Sequence, residues 1–274
     1  MSTGRSPSSS GRSTGRRGAA RRRAEPDTYY NISKRPLHVL VFLAPLLVLY
    51  ELGAAFYLAP ADGGAGADIR ARRLISIFFD LFGVTGLILP GLALVVVLLV
   101  WHTLKRDRWS IEPRVIGGMA GEAILFTLPL LVFAQLVGAS IQANAEAAAA
   151  MAAAGASGAT LAEMPWQARA TIALGAGLYE ELLFRMVGIA LIHVLLVDLL
   201  GVKQKTGTAV SVVLTAIAFA LYHDQVFSSA GIDLLYVFFY FVAGLYFGAI
   251  FIFRGFGIVV ATHALYDLVV LLLQ

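Results

Sequence analysis

The amino-acid sequence predicts an all-α, polytopic transmembrane helix bundle of about seven spans, and three observations carry that expectation. Of 274 residues, 59% are hydrophobic and 14% charged, where a soluble domain has about 45–50% and about 25%. The apolar residues gather in runs near the roughly 20 residues that cross a hydrocarbon core of ~30 Å as a helix. The chain has no cysteine, which excludes zinc–thiolate sites, iron–sulfur clusters, thiol nucleophiles and disulfide staples together. Collagen, a disulfide scaffold and disorder of the whole chain are excluded as well.

Residues 1–34 are expected to be a disordered cytoplasmic tail. Positions 1–24 hold seven arginines and no acid, among serines and glycines too polar to bury a core. No apolar stretch follows within reach, so this is not a signal peptide. Its role is to orient the first span and to touch anionic lipid. Nucleic acid is not an expected partner, because no aromatic residues interleave the arginines. Beyond residue 24, 14 of the 21 basic residues face 17 acidic ones, a balance of −3. The basic character belongs to the tail.

Residues 35–165 hold spans one to three and an Ala/Gly-rich loop. Span one is read at Leu37–Ala59, between Pro36 and Pro60, and span two from Leu74 or Val84 to Trp101. The stretch before Pro90 is the part that lies at an interface. Span three is read at Val115–Ala143, and the loop then runs to Pro165. Residues 166–274 hold the rest: a long stretch at 166–200, then Thr208–His223, Leu234–Phe253 and Ile258–Leu273. As one straight helix, 166–200 measures ~50 Å, so it is tilted, broken or protruding, and an eighth span arises if it divides. In a seven-span arrangement the tail, Lys105, Arg106, Arg108, Arg114, Lys203, Lys205 and Arg254 fall on one side, which is cytoplasmic. Arg70, Arg72 and Arg73, set against Asp62 and Asp68, disagree mildly. The alanine-rich, cysteine-free composition points to a bacterial plasma membrane.

Charges inside spans cost a few kcal/mol each and face the bundle interior. They cluster late in this chain: Glu180, Glu181 and Arg185 in LYEELLFR, Phe219 and His223 in FALYH, and His263 and Asp267 in HALYD. Glu181 and Arg185 are i,i+4, so they share a helix face and can pair. Glu180 points about 100° away from Glu181. His263 and Asp267 are also i,i+4, and Phe219 lies one turn before His223 as a wall. Glu51 and Glu122 stand isolated in spans one and three and rank below this cluster. His38 and His102 read as interfacial groups, and His193 and Asp198 as packing or interfacial ones.

Three helices thus offer polar groups to one interior pocket, and the chemistry suited to them is water activation. A carboxylate in low dielectric becomes a stronger base, and a nearby imidazole can share the proton. Glu180 with His223 would deprotonate a water, and His263 with Asp267 would hydrogen-bond the developing oxyanion. Zinc is the competing assignment, held by Glu180, His223 and His263. No H-E-x-x-H is present to specify it, and metal-free chemistry is favoured. The rival from another class is a non-catalytic membrane protein, either a proton-coupled transporter or an immunity or scaffold protein. A transporter built on inverted repeats would show matched halves, whereas these polar groups sit in the second half alone.

At these residues the chain resembles the CPBP family of CAAX-protease and bacteriocin-processing intramembrane endopeptidases. That family's signature is E-E-x-x-x-R, then F-x-x-x-H, then H-x-x-x-N or H-x-x-x-D. Here it reads Glu180-Glu181-x-x-x-Arg185, Phe219-x-x-x-His223 and His263-x-x-x-Asp267, in the same order, with the resemblance covering about residues 166–270. The resemblance implies a CAAX-protease-like helical core that hydrolyses a peptide bond of a membrane-associated or lipidated polypeptide. It implies that Glu180 activates water with His223, that Glu181 and Arg185 support Glu180, and that His263 with residue 267 forms the oxyanion site. The family has been described both as metalloproteases and as glutamate proteases. At 267 the eukaryotic type has Asn and this chain has Asp, which must be protonated or must hold His263 as imidazolium. One geometric demand follows from the span limits. His223 falls at the outer end of its span and His263 about two turns from the inner end of another, so the helices must be offset or tilted for both to reach Glu180.

Overall fold

The computed structural model describes residues 28–58, 70–80, 89–151, 164–228 and 231–273. Among them are nine helices: α1 (Tyr29–Ile32), α2 (Pro36–Leu58), α3 (Arg70–Asp80), α4 (Leu89–Lys105), α5 (Pro113–Met151), α6 (Trp166–Leu199), α7 (Gln204–Tyr222), α8 (Leu234–Arg254) and α9 (Phe256–Leu273). Each of the seven apolar segments expected as a span contains a helix among the described residues. Among the described residues α2, α5, α6, α7 and α8 are long and apolar enough to cross a membrane, and α4 and α9 are shorter apolar helices. The protein is an integral membrane helix bundle. Its exterior is as apolar as its interior: Leu136, Leu191 and Phe253 are all about two-thirds exposed or more, the surface expected where lipid is the solvent.

Several boundaries differ from the sequence reading. The tail expected through residue 34 is ordered from Thr28 onward. Ile32 is buried in the core, and the Tyr29 hydroxyl donates to Glu122 at 2.8 Å. Residues 1–27, including all seven tail arginines, lie outside the described residues. The loop expected after Ala143 begins later, because α5 runs on to Met151 through an alanine-rich stretch, the residue type of highest helix propensity. Residues 152–163 of that loop lie outside the described set, as do 59–69 and 81–88 between the first and second spans. The 166–200 stretch does not divide. It is one helix of 34 residues with π-helical turns at Ala176–Glu180, Leu182–Gly188 and Val194–Leu199. Each wider turn rotates the following face, a feature common near functional sites.

The hub of the bundle is α9, which packs against α2, α5, α6 and α8. Its first turns are wholly apolar, and Ile258, Val259 and Val260 have no exposed surface. It follows α8 through a single residue, Gly255, whose φ of 87° lies in the left-handed region and folds the chain straight back. Against α6 the approach is closer than a side chain allows. A Cβ on Gly177 would stand 2.7 Å from the Ala264 nitrogen and 2.8 Å from the Val260 carbonyl oxygen. Small residues at such crossings let membrane helices pack backbone to backbone. Between α7 and α8 a 3-10 turn, Asp224–Val226, leads into a two-residue antiparallel ladder pairing Phe227 with Ile232. Asp233 then caps α8, accepting from the Leu235 and Tyr236 amides.

The two ends of the bundle are identified by polar ties. At one end Arg254 makes a bidentate pair with Glu122, both arms at 2.7 Å, and reaches Ser33 of the segment before α2. At that end, too, His38 accepts from the Glu112 amide of the α4–α5 connection. At the opposite end Arg70 of α3 pairs with Asp224 just beyond α7. Of the three arginines that disagreed with the charge rule, Arg70 is thus occupied by a protein partner and Arg72 is buried.

Candidate active site

The tandem acids of α6 leave the helix in different directions, as their spacing requires. Glu181 has no exposed surface, and its Oε1 accepts from Arg185 Nη1 at 2.8 Å and from His263 Nδ1 at 2.7 Å. Arg185 is also buried. Its Nη2 donates to the Gly244 carbonyl of α8 at 3.2 Å, and its guanidinium lies 4.3 Å from the Phe219 ring centre. The pair is therefore a strut joining α6, α8 and α9. A charge pair this deep relies on such bonds to offset its desolvation, and Glu181 Oε2 is buried without a hydrogen-bond partner among the described residues.

Glu180 points into a cavity of about 300 Å³ lined by residues that include Phe219, His223, Tyr240, His263 and Asp267. Its Oε2 is buried and has no hydrogen-bond partner among the described residues. Two imidazole nitrogens face that oxygen, His223 Nε2 at 3.9 Å and His263 Nε2 at 4.0 Å. Both distances exceed a direct hydrogen bond. The His223 tautomer follows from its other nitrogen. Nδ1 lies 2.8 Å from the Phe219 carbonyl oxygen, which can only accept, so Nδ1 carries the proton and Nε2 presents a lone pair. Glu180 Oε2 and His223 Nε2 are thus two acceptors 3.9 Å apart at the cavity, close enough for one water beside them to reach both.

The offset demanded by the span limits is met by α8. Tyr240 stacks on His223 with ring centres 3.7 Å apart and planes at 16°, and Phe247 stacks on His263 at 4.5 Å and 23°. Tyr240 and Phe247 are seven residues apart, two turns along one face of α8. The two imidazoles therefore lie on one aromatic wall at different depths, and Glu180 reaches toward both. Phe219, 2% exposed, fills the space between, with His223 at 4.7 Å and His263 at 6.0 Å between ring centres. On α9, Asp267 Oδ2 stands 3.4 Å from His263 Nε2, so both nitrogens of His263 face a carboxylate.

Of the seven residues singled out on the last four spans, five line this cavity, while Glu181 and Arg185 pack behind it through the bond from His263. Sequence reasoning does not find Tyr240 and Phe247, which line it, nor Tyr222 and its partner Arg70 beside it. Tyr240 and Phe247 sit in an aromatic run whose spacing is equally that of a packing face, and Arg70 lies 152 residues from its partner Tyr222. The acids expected to be isolated are not. Glu51 accepts from the Tyr179 hydroxyl at 2.9 Å, and Glu122 holds Arg254 and Tyr29. His38 and His102 are buried instead of interfacial, with His102 edge-on to Trp109 at 4.4 Å.

The zinc alternative would need Glu180, His223 and His263 to converge on one ion. Among the described residues, no group of three His, Cys, Asp or Glu side chains is found that could hold a metal ion. Glu181 holds His263 Nδ1, and His263 Nε2 faces Asp267 and Glu180.

No curated protein and no solved structure matches the chain. A family model described as Type II CAAX prenyl endopeptidase Rce1-like matches residues 162–269, which spans α6 to most of α9 and includes Glu180, His223, His263 and Asp267. The match covers less than half of the chain, and over that segment the chain is similar to a family of endopeptidases.

Proposed function

We propose that the protein is an intramembrane endopeptidase that hydrolyses a peptide bond of a membrane-associated or lipidated, CAAX-like polypeptide by attack of an activated water. The observation that supports this best is the pair of acceptors, Glu180 Oε2 and His223 Nε2, held 3.9 Å apart beside the cavity. A water there donates one hydrogen to each and turns its lone pair to the cavity. As its oxygen bonds to the scissile carbonyl carbon, Glu180 takes its proton, with His223 sharing the load. The carbonyl π electrons become an oxyanion within reach of the His263 Nε2 proton, which Asp267 and Glu181 hold in place from opposite sides of the ring. Glu180 then returns the proton to the amide nitrogen as the C–N bond breaks. A carboxylate and an amine leave, and the enzyme is unchanged.

No metal enters this scheme, and the site chemistry is proposed as metal-free. The membrane is proposed as a bacterial plasma membrane with the N-terminus cytoplasmic. That orientation is supported by the shared end of the bundle where Ser33, Glu112 and Arg254 meet. Lys34, Arg35, Arg106, Arg108 and Arg114 are near these residues in sequence. The basic tail is proposed to touch anionic lipid there, with no role for nucleic acid.

Purified full-length protein in lipid nanodiscs, given a quenched prenylated peptide, tests the reading. Glu180→Gln should lower kcat by roughly 10²–10⁴-fold, the contribution of a general base, while size-exclusion profile and helicity stay as in the parent. A chelator should leave turnover unchanged. Undiminished cleavage by Glu180→Gln removes the proposal, and loss with chelator restored by zinc overturns its metal-free form.

A further inference from the structure

The first three residues of α3 hold both helices that carry the proposed water-activating pair, although they lie outside the segment matched by the family. On one side Arg70 Nη1 donates to the Tyr222 carbonyl oxygen, its Nη2 pairs with Asp224, and the Ala71 amide donates to the Tyr222 hydroxyl at 2.7 Å. On the other side Arg72, 5% exposed, lies 5.9 Å from the Tyr50 ring, and Tyr50 packs edge-on to Tyr179 at 5.1 Å. Tyr222 directly precedes His223, and Tyr179 directly precedes Glu180.

We propose that Arg70 is a positioning residue for the reaction: it caps the carboxyl end of α7 and so fixes where His223 leaves the helix and faces Glu180. This rests on the hydrolytic reading above. The last carbonyls of a helix have no partner within it, and a cation there also meets the negative end of the helix dipole. At this end the need is acute, because His223 leaves the helix with extended backbone, φ −84° and ψ 127°. The Tyr222 carbonyl is the last one before that turn. Arg70 takes it and holds Asp224 with its other arm, so the residues on both sides of His223 are fastened by one guanidinium. The His223 ring is held by the Phe219 carbonyl on Nδ1 and the Tyr240 stack, and its backbone by local bonds to the Ala220 carbonyl and from the Val226 amide. Those backbone bonds shape the turn itself, and Arg70 ties that turn to α3. Arg70 contributes no atom to the cavity lining and acts through the backbone alone.

The test is kinetic and spectroscopic, on the full chain in nanodiscs. Arg70→Gln should lower kcat by about 10- to 100-fold, the penalty of misplacing a reacting group by ~1 Å, and change KM less than threefold. Arg70→Lys should recover most of the loss. Asp224→Asn should move kcat in the same direction by less, since the Tyr222 carbonyl keeps its donor. With ¹⁵N-histidine labelling, Arg70→Gln should shift the His223 ring signals and leave those of His263 in place. Unchanged kcat, a change in KM alone, no recovery with lysine, or unmoved His223 signals each overturn the clamp. If Glu180→Gln is inactive and Arg70→Gln fully active, the clamp alone fails. If Glu180→Gln is active, the hydrolytic reading fails, and the His223 signals still decide whether Arg70 sets the ring. Should Arg70→Gln not fold, Asp224→Asn and the lysine variant carry the same comparisons.

Discussion

Asp267 shows how one side chain takes its meaning from its neighbours. An ionised carboxylate beside a developing oxyanion would raise the barrier, yet here it stands 3.4 Å from His263 Nε2 while Glu181 holds Nδ1 at 2.7 Å. Of the two readings open from sequence, a protonated donor or a partner for imidazolium, this arrangement supports the second: Asp267 orients a proton that His263 supplies. Asn, found at this position in the eukaryotic type, also accepts that hydrogen bond. Asp267→Asn should therefore keep kcat within about tenfold of the parent, whereas Asp267→Ala should lose about a further tenfold, the worth of one hydrogen bond to a charged group. Steady-state turnover of the lipidated peptide separates them, and complete loss in the Asn variant would show that the negative charge itself is required.

Among the helices, the site depends on how closely α6 and α9 approach. Gly177 is one turn before Glu180 and Glu181, and the backbone it meets, at Val260 and Ala264, brackets His263. A methyl at 177 presses on an amide nitrogen and a carbonyl oxygen, neither of which can rotate away, so the two helices must part. Gly177→Ala should cut kcat by about 100-fold if the acids and His263 separate by ~1 Å, with a lowered midpoint of thermal unfolding. Full activity would mean that the bundle absorbs the methyl elsewhere. The π-helical turns around Glu180 belong to this scale as well. A regular α-helix would keep Glu180 and Glu181 about 100° apart. The wider turn before them shifts the whole pair round the axis relative to the start of α6.

Across the whole molecule, the N-terminal spans brace the matched segment at both ends. At one end Arg254 of α8 is bidentate to Glu122 of α5, and Tyr29 donates to the same carboxylate. The Glu122 side chain is 23% exposed. Glu122→Gln should therefore cost about 2 kcal/mol, below the full penalty for stranding a buried charge because solvent screens part of it. A thermal melt would show this as a fall of roughly 5 °C. Burial, then the bond to Glu122, pushes the Tyr29 phenol up to about 12. Its folded value lies above the ordinary 10, so its contribution is complete below pH 10 and is lost as pH rises from about 10 through about 12. Below pH 10 the melt should be insensitive to this group, and Tyr29→Phe should remove the alkaline part of the pH dependence.

The amino-acid sequence alone determined the class of molecule and the chemistry-bearing residues. Apolar runs of span length force helices in lipid, where each backbone group must be satisfied within its own segment. Charges in those runs are too costly to be incidental, so Glu180, Glu181, Arg185, His223, His263 and Asp267 declared themselves by residue type and spacing. Tertiary structure decided the rest, because it depends on contacts between residues far apart in the chain. Only packing shows that Tyr240 and Phe247 support the two imidazoles, that Glu51 and Glu122 have partners, and that Arg70 reaches the end of α7 across 152 residues. An arginine between two spans reads as a topology signal until a carbonyl is found against it, since its charge is local but its partner is not.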